Sequence, residues 1–350
     1  MEIDGLALKN NVRHLRSLLG KETKLWAVVK SNAYGHGLVE FSQLAGGLVD
    51  GFCVDSLVEG QRLRLEGIKK PILVLGPTFN SLLPNALNND LTLSVASWEA
   101  LRELLSFKKG IAVHLKIDSG MHRQGFYLKD LPRVIKLAGA KLKLTGVYTH
   151  FAVAKDPNHS AYTNQQFKEF LSGVKLLKKA GFRNLIVHAA ATNGTLADKK
   201  YHLDAVRIGI GLYGVFHSGL APVLSWRTVV SDVKSFSKGD LIGYDLTERM
   251  KKDGRLAVLP IGYWHGLPRS LSSKGEVLIK GNRARILGRI SMDLAVADVT
   301  GIDCRYGDEV TVIGRQGTGF VGADEVAEKA GTISYEILTR INPLIKRLVK

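Results

Sequence analysis

Lys30 ends an apolar run, 25–29, and is followed at once by Ser31-Asn32-Ala33-Tyr34-Gly35-His36-Gly37. The run reads as a short buried strand, and the Ser, Asn and two glycines read as the turn that ends it. A lysine at the exit of a buried strand sheds part of its hydration. A less protonated amine forms a Schiff base with a carbonyl or takes up a proton. For an arbitrary lysine a plain ion pair is the commoner role, so the rest of the chain must supply partners for the chemistry. Candidates are Asp118-Ser119-Gly120-Met121-His122-Arg123, then His150, Thr192 and Arg207-Ile208-Gly209-Ile210-Gly211. Each lies at or just past the end of an apolar run, as Lys30 does.

The elements that must position these residues have a regular order. Short apolar runs at 25–29, 51–54, 72–75, 91–95, 111–117, 144–149, 185–188 and 205–208 read as strands. Between them lie amphipathic stretches such as 56–66, 98–105, 131–138 and 164–180, which read as helices. Alternating strands and helices imply βαβ units and a parallel sheet. Eight such units in about 200 residues fit a (β/α)8 barrel of the TIM type. An open doubly wound sheet is the alternative, but no GxGxxG follows an early strand. A barrel keeps its chemistry at the C-terminal ends of its strands, where the candidate residues fall.

The pattern changes after Tyr213-Gly214. The segment 217–222 reads as a linker, and the runs beyond it are β-rich with frequent glycine turns: 228–236, 255–261, 276–279, 284–287, 295–299 and 309–313. Helical segments at 323–330 and 335–339 follow. The fold class expected is therefore α/β, a barrel over 1–222 followed by a mostly β, mostly antiparallel domain over 223–350.

Composition narrows the function. With 350 residues, 45% hydrophobic and 23% charged, the chain has the makeup of a globular protein of about two domains. No apolar run approaches the roughly 18 residues of a membrane span. The opening Met1-Glu2-Ile3-Asp4 lacks the pattern of a secretory signal. Cys53 and Cys304, far apart and without CxxC spacing, suggest neither a disulfide framework nor a zinc site, so a reducing cytoplasm and no metal are expected. The net charge of +17 invites a nucleic-acid reading. However, the basic residues are dispersed pairs (Lys69-Lys70, Lys108-Lys109, Lys178-Lys179, Lys199-Lys200, Lys251-Lys252), which fits a solvated surface that attracts small anions.

VVKSNAYGHG resembles the cofactor-lysine segment of the alanine racemases, which bind pyridoxal phosphate (PLP). The resemblance runs through KIDSGMHRQGF, GVYTHFA, HAAATNGTL, VRIGIGLYG, GRISMD and TISYE in family order. It implies a racemase interconverting L- and D-alanine, supplying D-alanine for peptidoglycan, with serine as the nearest competing substrate. By the same resemblance Lys30 carries the cofactor and is one of two catalytic bases. The other is Tyr244, delivered by the partner subunit of a homodimer. Arg207 faces the cofactor ring nitrogen; His150, which also binds the cofactor, and Arg207 are the electrostatic neighbours that stabilise the tyrosine phenolate. Tyr34, Thr192, Gly209, Ile210 and Tyr335 hold the phosphate. Arg123 meets the cofactor phenolic oxygen and the substrate carboxylate, and Lys116 matches a lysine that is carbamylated in some members. Tyr263, Met292 and Asp293 become substrate-side residues, and Arg269, Arg289 and Ile333 map to the access corridor. The sequence departs from the family pattern in Trp264-His265 for an Ala-Asp pair, in Lys155 followed by Asp156, in His122, and in Ala191-Thr192 for Asn-Ser. Two rivals share parts of this plan. A barrel-type PLP decarboxylase would present a carboxylate to the ring nitrogen, and a PLP-carrier barrel would lack the second domain.

Overall fold

The computed structural model describes residues 1–107, 109–154, 156–215 and 219–350. Lys108 and Lys155, named above, and residues 217–218 of the expected linker lie outside the described residues. Two compact units emerge. One comprises 9–33 and 41–212; the other comprises 1–8, 34–40 and 213–350.

In the first unit eight parallel strands close into a barrel: Lys24–Val28, Gly51–Val54, Ile72–Val74, Thr92–Val95, Val113–Lys116, Leu144–Tyr148, Ile186–Ala191 and Ala205–Ile208. Closure is made by the first strand pairing the last, from Lys24 opposite Ala205 to Ala27 opposite Ile208. All eight strands expected from sequence are present. Their near-continuous apolar runs reflect burial on both faces, which parallel strands under a helical layer require. The helices bury the stripe that their spacing dictates. Leu131–Ala138 buries Leu131, Val134 and Ala138, and Ser160–Lys179 buries Phe167, Phe170, Val174 and Leu177. Among the described residues no helix is long and apolar enough to cross a membrane.

The second unit is mostly β. Its largest sheet has the order Asn282–Arg285, Glu276–Ile279, Glu309–Gln316, Leu224–Val229, Glu2–Ile3, Leu348–Val349, with Gly319–Val321 paired to Glu309–Gln316. A three-stranded sheet joins Asp232–Phe236, Gly254–Leu259 and Ala295–Asp298. The run 228–236, expected as one strand, is two strands in different sheets. The Val230 N–H donates to Asp308 O and the Ser231 N–H to Val258 O, both at 2.9 Å, so adjacent residues bond to different neighbours and the chain must bend there. The terminal strands Glu2–Ile3 and Leu348–Val349 pair in parallel, and two residues each are too few for any period to show.

Candidate active site

The strand Lys24–Val28 delivers Lys30 into a turn of the opposite hand to an ordinary helix. Ser31, Asn32, Ala33 and Tyr34 have φ of 55°, 56°, 50° and 51°, and Gly35 follows at 83°. Left-handed backbone costs a side-chain-bearing residue roughly 1–2 kcal/mol, so the surroundings must hold it in place. The Ala33 N–H donates to Val29 O at 2.8 Å, and the Asn32 N–H to Glu59 Oε1 at 3.2 Å. In the second unit a Cβ on Gly35 would stand 1.9 Å from Leu338 O, so only glycine fits. Lys30 Nζ lies 3.4 Å from Asp55 Oδ1, both side chains partly exposed.

Arg207 is buried at the end of the last barrel strand. Its Nη2 donates to Thr149 O at 2.7 Å and Ala189 O at 3.0 Å, and its Nη1 donates to His188 Nδ1 at 2.5 Å. His188 Nε2 lies 2.8 Å from His114 Nδ1. Tyr148 completes the cluster: its ring stacks on His188, it carries the Arg207 guanidinium 5.0 Å above it, and its hydroxyl donates to Ser94 at 2.9 Å. Burial first, and then the Arg207 charge, hold the His114 pKa down to about 3 and push that of His188 well below the ordinary value. These imidazoles are neutral at physiological pH.

Around this core the barrel mouth gathers cations. Burial, then Arg123, Arg207 and Lys30, lower the Lys116 amine to about 8, with Asp118 opposing. Lys116 Nζ donates to Gln124 Oε1 at 3.2 Å. His150 is held down to about 3 by burial and then by Arg207, Lys116, Arg123 and Lys30. The nearby carboxylate is already engaged. Asp118 Oδ1 accepts the N–H groups of Gly120, Met121 and His122 at 2.9–3.0 Å, and Oδ2 that of Arg123 at 2.9 Å. Burial opposes its ionisation, but those four bonds keep its carboxyl below the usual range. The same bonds shape the loop that carries Arg123, with His122 left-handed at φ 54°.

Thr192 opens the short helix that follows Ile186–Ala191. Its Oγ1 accepts the N–H groups of Gly209 and Gly211 at 3.2 and 3.3 Å, leaving its own proton to donate. A Cβ on Gly211 would stand 2.7 Å from Thr192 Cγ2, so with threonine in place of serine any larger residue there must displace the Thr192 side chain. Ile210 between them is buried. Ala191 occupies the N-cap without a side-chain bond to the helix, consistent with the missing asparagine.

In the second unit Tyr34 packs against Tyr213 and Tyr335, with ring centroids 4.9 and 5.9 Å apart. Burial raises the Tyr335 phenol. Tyr244 begins a 3-10 turn, followed by Asp245 and Leu246 at φ 58° and 51°, and is largely exposed. Asp245 pairs with Arg289 at 2.7 Å. Tyr263 and Met292 sit on loops tied together, since the Tyr263 N–H donates to Ser291 O at 3.1 Å and the Trp264 N–H to Met292 O at 2.9 Å. Asp293 is the next residue along. The His265 departure has a structural role: its Nδ1 accepts the Gly262 N–H at 3.1 Å, as a carboxylate could.

The barrel unit thus brings Lys30, Arg123, His150, Thr192, Arg207, Gly209 and Ile210 to one rim, while Tyr34, Tyr244, Tyr263, Met292, Asp293 and Tyr335 belong to the other unit. Sequence reasoning passed over His114, Tyr148, His188 and Glu59. A signal existed for the histidines. His114 and Lys116 are alternate residues of one strand, and His188 interrupts an apolar one, so each puts a polar group where the pattern calls for core.

Residues 3–217 match the family profile described as alanine racemase, N-terminal domain, and residues 223–349 that of its C-terminal domain. The chain is 35% identical to the alanine racemase of Leptospira interrogans (serovar copenhageni), spanning 100% of this chain and 95% of that one. It is 36% identical to that of Methanococcus maripaludis, spanning 99% and 97%. Among solved structures, alanine racemase from Bacillus anthracis with bound L-Ala-P superposes with a TM-score of 0.94 at 37% identity, over 100% of this chain and 94% of that one. The enzyme from Streptomyces coelicolor gives 0.94 at 31% identity, over 99% and 97%.

Proposed function

The chain belongs to the alanine racemase family, and from that premise we propose a PLP-dependent, two-base interconversion of L- and D-alanine by a homodimer. Its activity class is that of an isomerase. The observation that carries the cofactor reading is the convergence of Lys30, Lys116, Arg123 and Arg207 while Asp118 is spent on backbone N–H groups. Such a cationic mouth fits a phosphorylated cofactor together with an amino-acid carboxylate. The Thr192 hydroxyl, backed by the Gly209 and Gly211 N–H groups, fits a phosphate oxygen.

PLP, when bound, withdraws electrons and makes the α-proton of an amino acid removable. Lys30 would hold the cofactor and exchange the proton on the D-face, and Tyr244 of the partner subunit would exchange it on the L-face. Arg207, tied through Nη1 and Nη2, would meet the ring nitrogen as a fixed cation. That favours an unprotonated ring and restrains side reactions. Tyr34, Thr192, Gly209, Ile210 and Tyr335 would hold the phosphate. Arg123 would orient the substrate carboxylate, and His150, kept neutral, would accept or donate hydrogen bonds beside Tyr244. A Lys116 amine near 8 is partly unprotonated at neutral pH, as carbamylation requires. Tyr263, Met292 and Asp293 would close the substrate side from the partner subunit.

Exposed Tyr244, Leu246, Tyr263, Trp264, Met292 and Leu294 in the second unit support a second copy as the partner. In this reading residues 1–222 bind PLP and residues 223–350 complete the partner's site. The enzyme works in the cytoplasm, where it supplies D-alanine for peptidoglycan. The test is loss of optical activity from L-alanine and L-serine with added PLP. Alanine should turn over faster. Faster serine turnover would favour the serine-racemase reading, and no racemisation of either would overturn the assignment.

A further inference from the structure

We propose that Glu59 is the positioning residue for Lys30, acting through the left-handed turn that carries the amine; its role toward the cofactor rests on the reading above. Glu59 lies in the first turn of the helix Leu57–Leu65, outside the barrel strands. Its two carboxylate oxygens reach different parts of the chain. Oε1 accepts the Asn32 N–H at 3.2 Å, inside the left-handed turn. Oε2 accepts the Asp55 N–H at 2.9 Å. Asp55 in turn places its own carboxylate 3.4 Å from Lys30 Nζ. One side chain therefore ties down both the backbone carrying the amine and the loop carrying its counter-ion.

Helix capping does not account for this arrangement. Glu59 does form a capping box with Ser56, whose Oγ accepts the Glu59 N–H at 3.3 Å. But the reciprocal bond, from the Ser56 N–H to Glu59 Oε2, is the longest of the three the carboxylate receives, at 3.5 Å. The shorter two leave the helix. Ser31 to Tyr34 are all L-residues between φ 50° and 56°, a conformation their own side chains disfavour. An external acceptor on the Asn32 amide opposes relaxation toward right-handed backbone, which would swing Lys30 away from its place at the strand end. Glu59 touches neither cofactor nor substrate in this scheme, and its effect passes through the turn.

The experiment compares Glu59→Ala, Glu59→Gln and Ser56→Ala with the unaltered chain by two readouts. The first is amide exchange at Asn32 without cofactor, and the second is PLP affinity by visible-absorbance titration. Glu59→Ala should speed Asn32 exchange and weaken PLP binding by tenfold or more each. Glu59→Gln keeps one carbonyl acceptor and should fall between. Ser56→Ala removes the cap but not the clamp, and should leave both readouts within twofold. Equal effects of Glu59→Ala and Ser56→Ala, or unaltered Asn32 exchange in Glu59→Ala, would overturn the proposal. Should Glu59→Ala fail to fold, the Glu59→Gln and Ser56→Ala comparison decides. An unaltered chain that takes up no PLP refutes the cofactor reading alone, because Asn32 exchange is measured without it.

Discussion

Arg207 Nη1 donates to His188 Nδ1 at 2.5 Å, and this bond fixes the tautomers of two buried histidines. A guanidinium only donates, so His188 Nδ1 accepts and the His188 proton sits on Nε2. That proton points at His114 Nδ1, 2.8 Å away, which must accept, so His114 carries its proton on Nε2. Replacing His188 by Leu removes the acceptor for a buried charge and the donor for a buried ring. The expected cost is about 2–3 kcal/mol, read as a lower urea midpoint at unchanged slope. A midpoint equal to the unaltered chain's would contradict the chain of bonds.

Acid should destabilise the protein earlier than its carboxylates require. His114, His150 and His188 bind protons more weakly folded than unfolded, where histidine titrates near 6.5. Between about pH 3 and that value the unfolded chain holds more protons, so stability rises with pH through this window and levels off above it. Each such histidine contributes a slope of at most about 1.4 kcal/mol per pH unit. Urea midpoints should be level between about pH 7 and pH 8, below the window in which the lowered Lys116 amine adds its own rise with pH, and fall steadily from pH 6 to pH 4.5. A level profile down to pH 4.5 would show that the rings charge without penalty.

Lys30→Ala should abolish the visible absorbance of bound PLP while leaving the barrel folded by circular dichroism. An unchanged visible spectrum would remove Lys30 from the cofactor assignment.

Tyr244→Phe deletes one hydroxyl from an exposed turn and should leave stability within about 0.5 kcal/mol. Its effect should be directional. Solvent deuterium exchange into L-alanine under single-turnover conditions should slow far more than exchange into D-alanine. Equal slowing would contradict a two-base scheme.

Gly211→Ala puts a Cβ 2.7 Å from the Thr192 methyl carbon and should displace that side chain. Overpacking of this kind costs about 1–3 kcal/mol. PLP should bind at least tenfold more weakly, and Thr192→Ser, which deletes the methyl, should restore affinity in the double variant. Failure of that rescue would show that Thr192 is not the obstacle.

Much of the fold was legible because its signals are local. Eight apolar runs at βαβ spacing could bury their two faces in few ways, and the residues ending those runs had to lie at one rim. Lys30, Arg207 and Thr192 stood out as candidates because they lie at or just past strand ends. The break at Val230–Ser231 was not legible, since an apolar run continues through a bend that only its two neighbouring sheets define. Nor were the short terminal strands, whose pairing depends on each other.

The sequence by itself determined the barrel, the β-rich second half and which residues carry reactive groups, because hydrophobic periodicity and turn chemistry act over neighbouring residues. Tertiary structure alone decided their states. The hand of the turn after Lys30 depends on Glu59 and its neighbours. The neutrality of His114 and His188 depends on burial beside Arg207, and the lowered Lys116 amine depends first on burial and then on cations from other parts of the barrel. Desolvation and charge act through space between residues tens of positions apart, which no local pattern records.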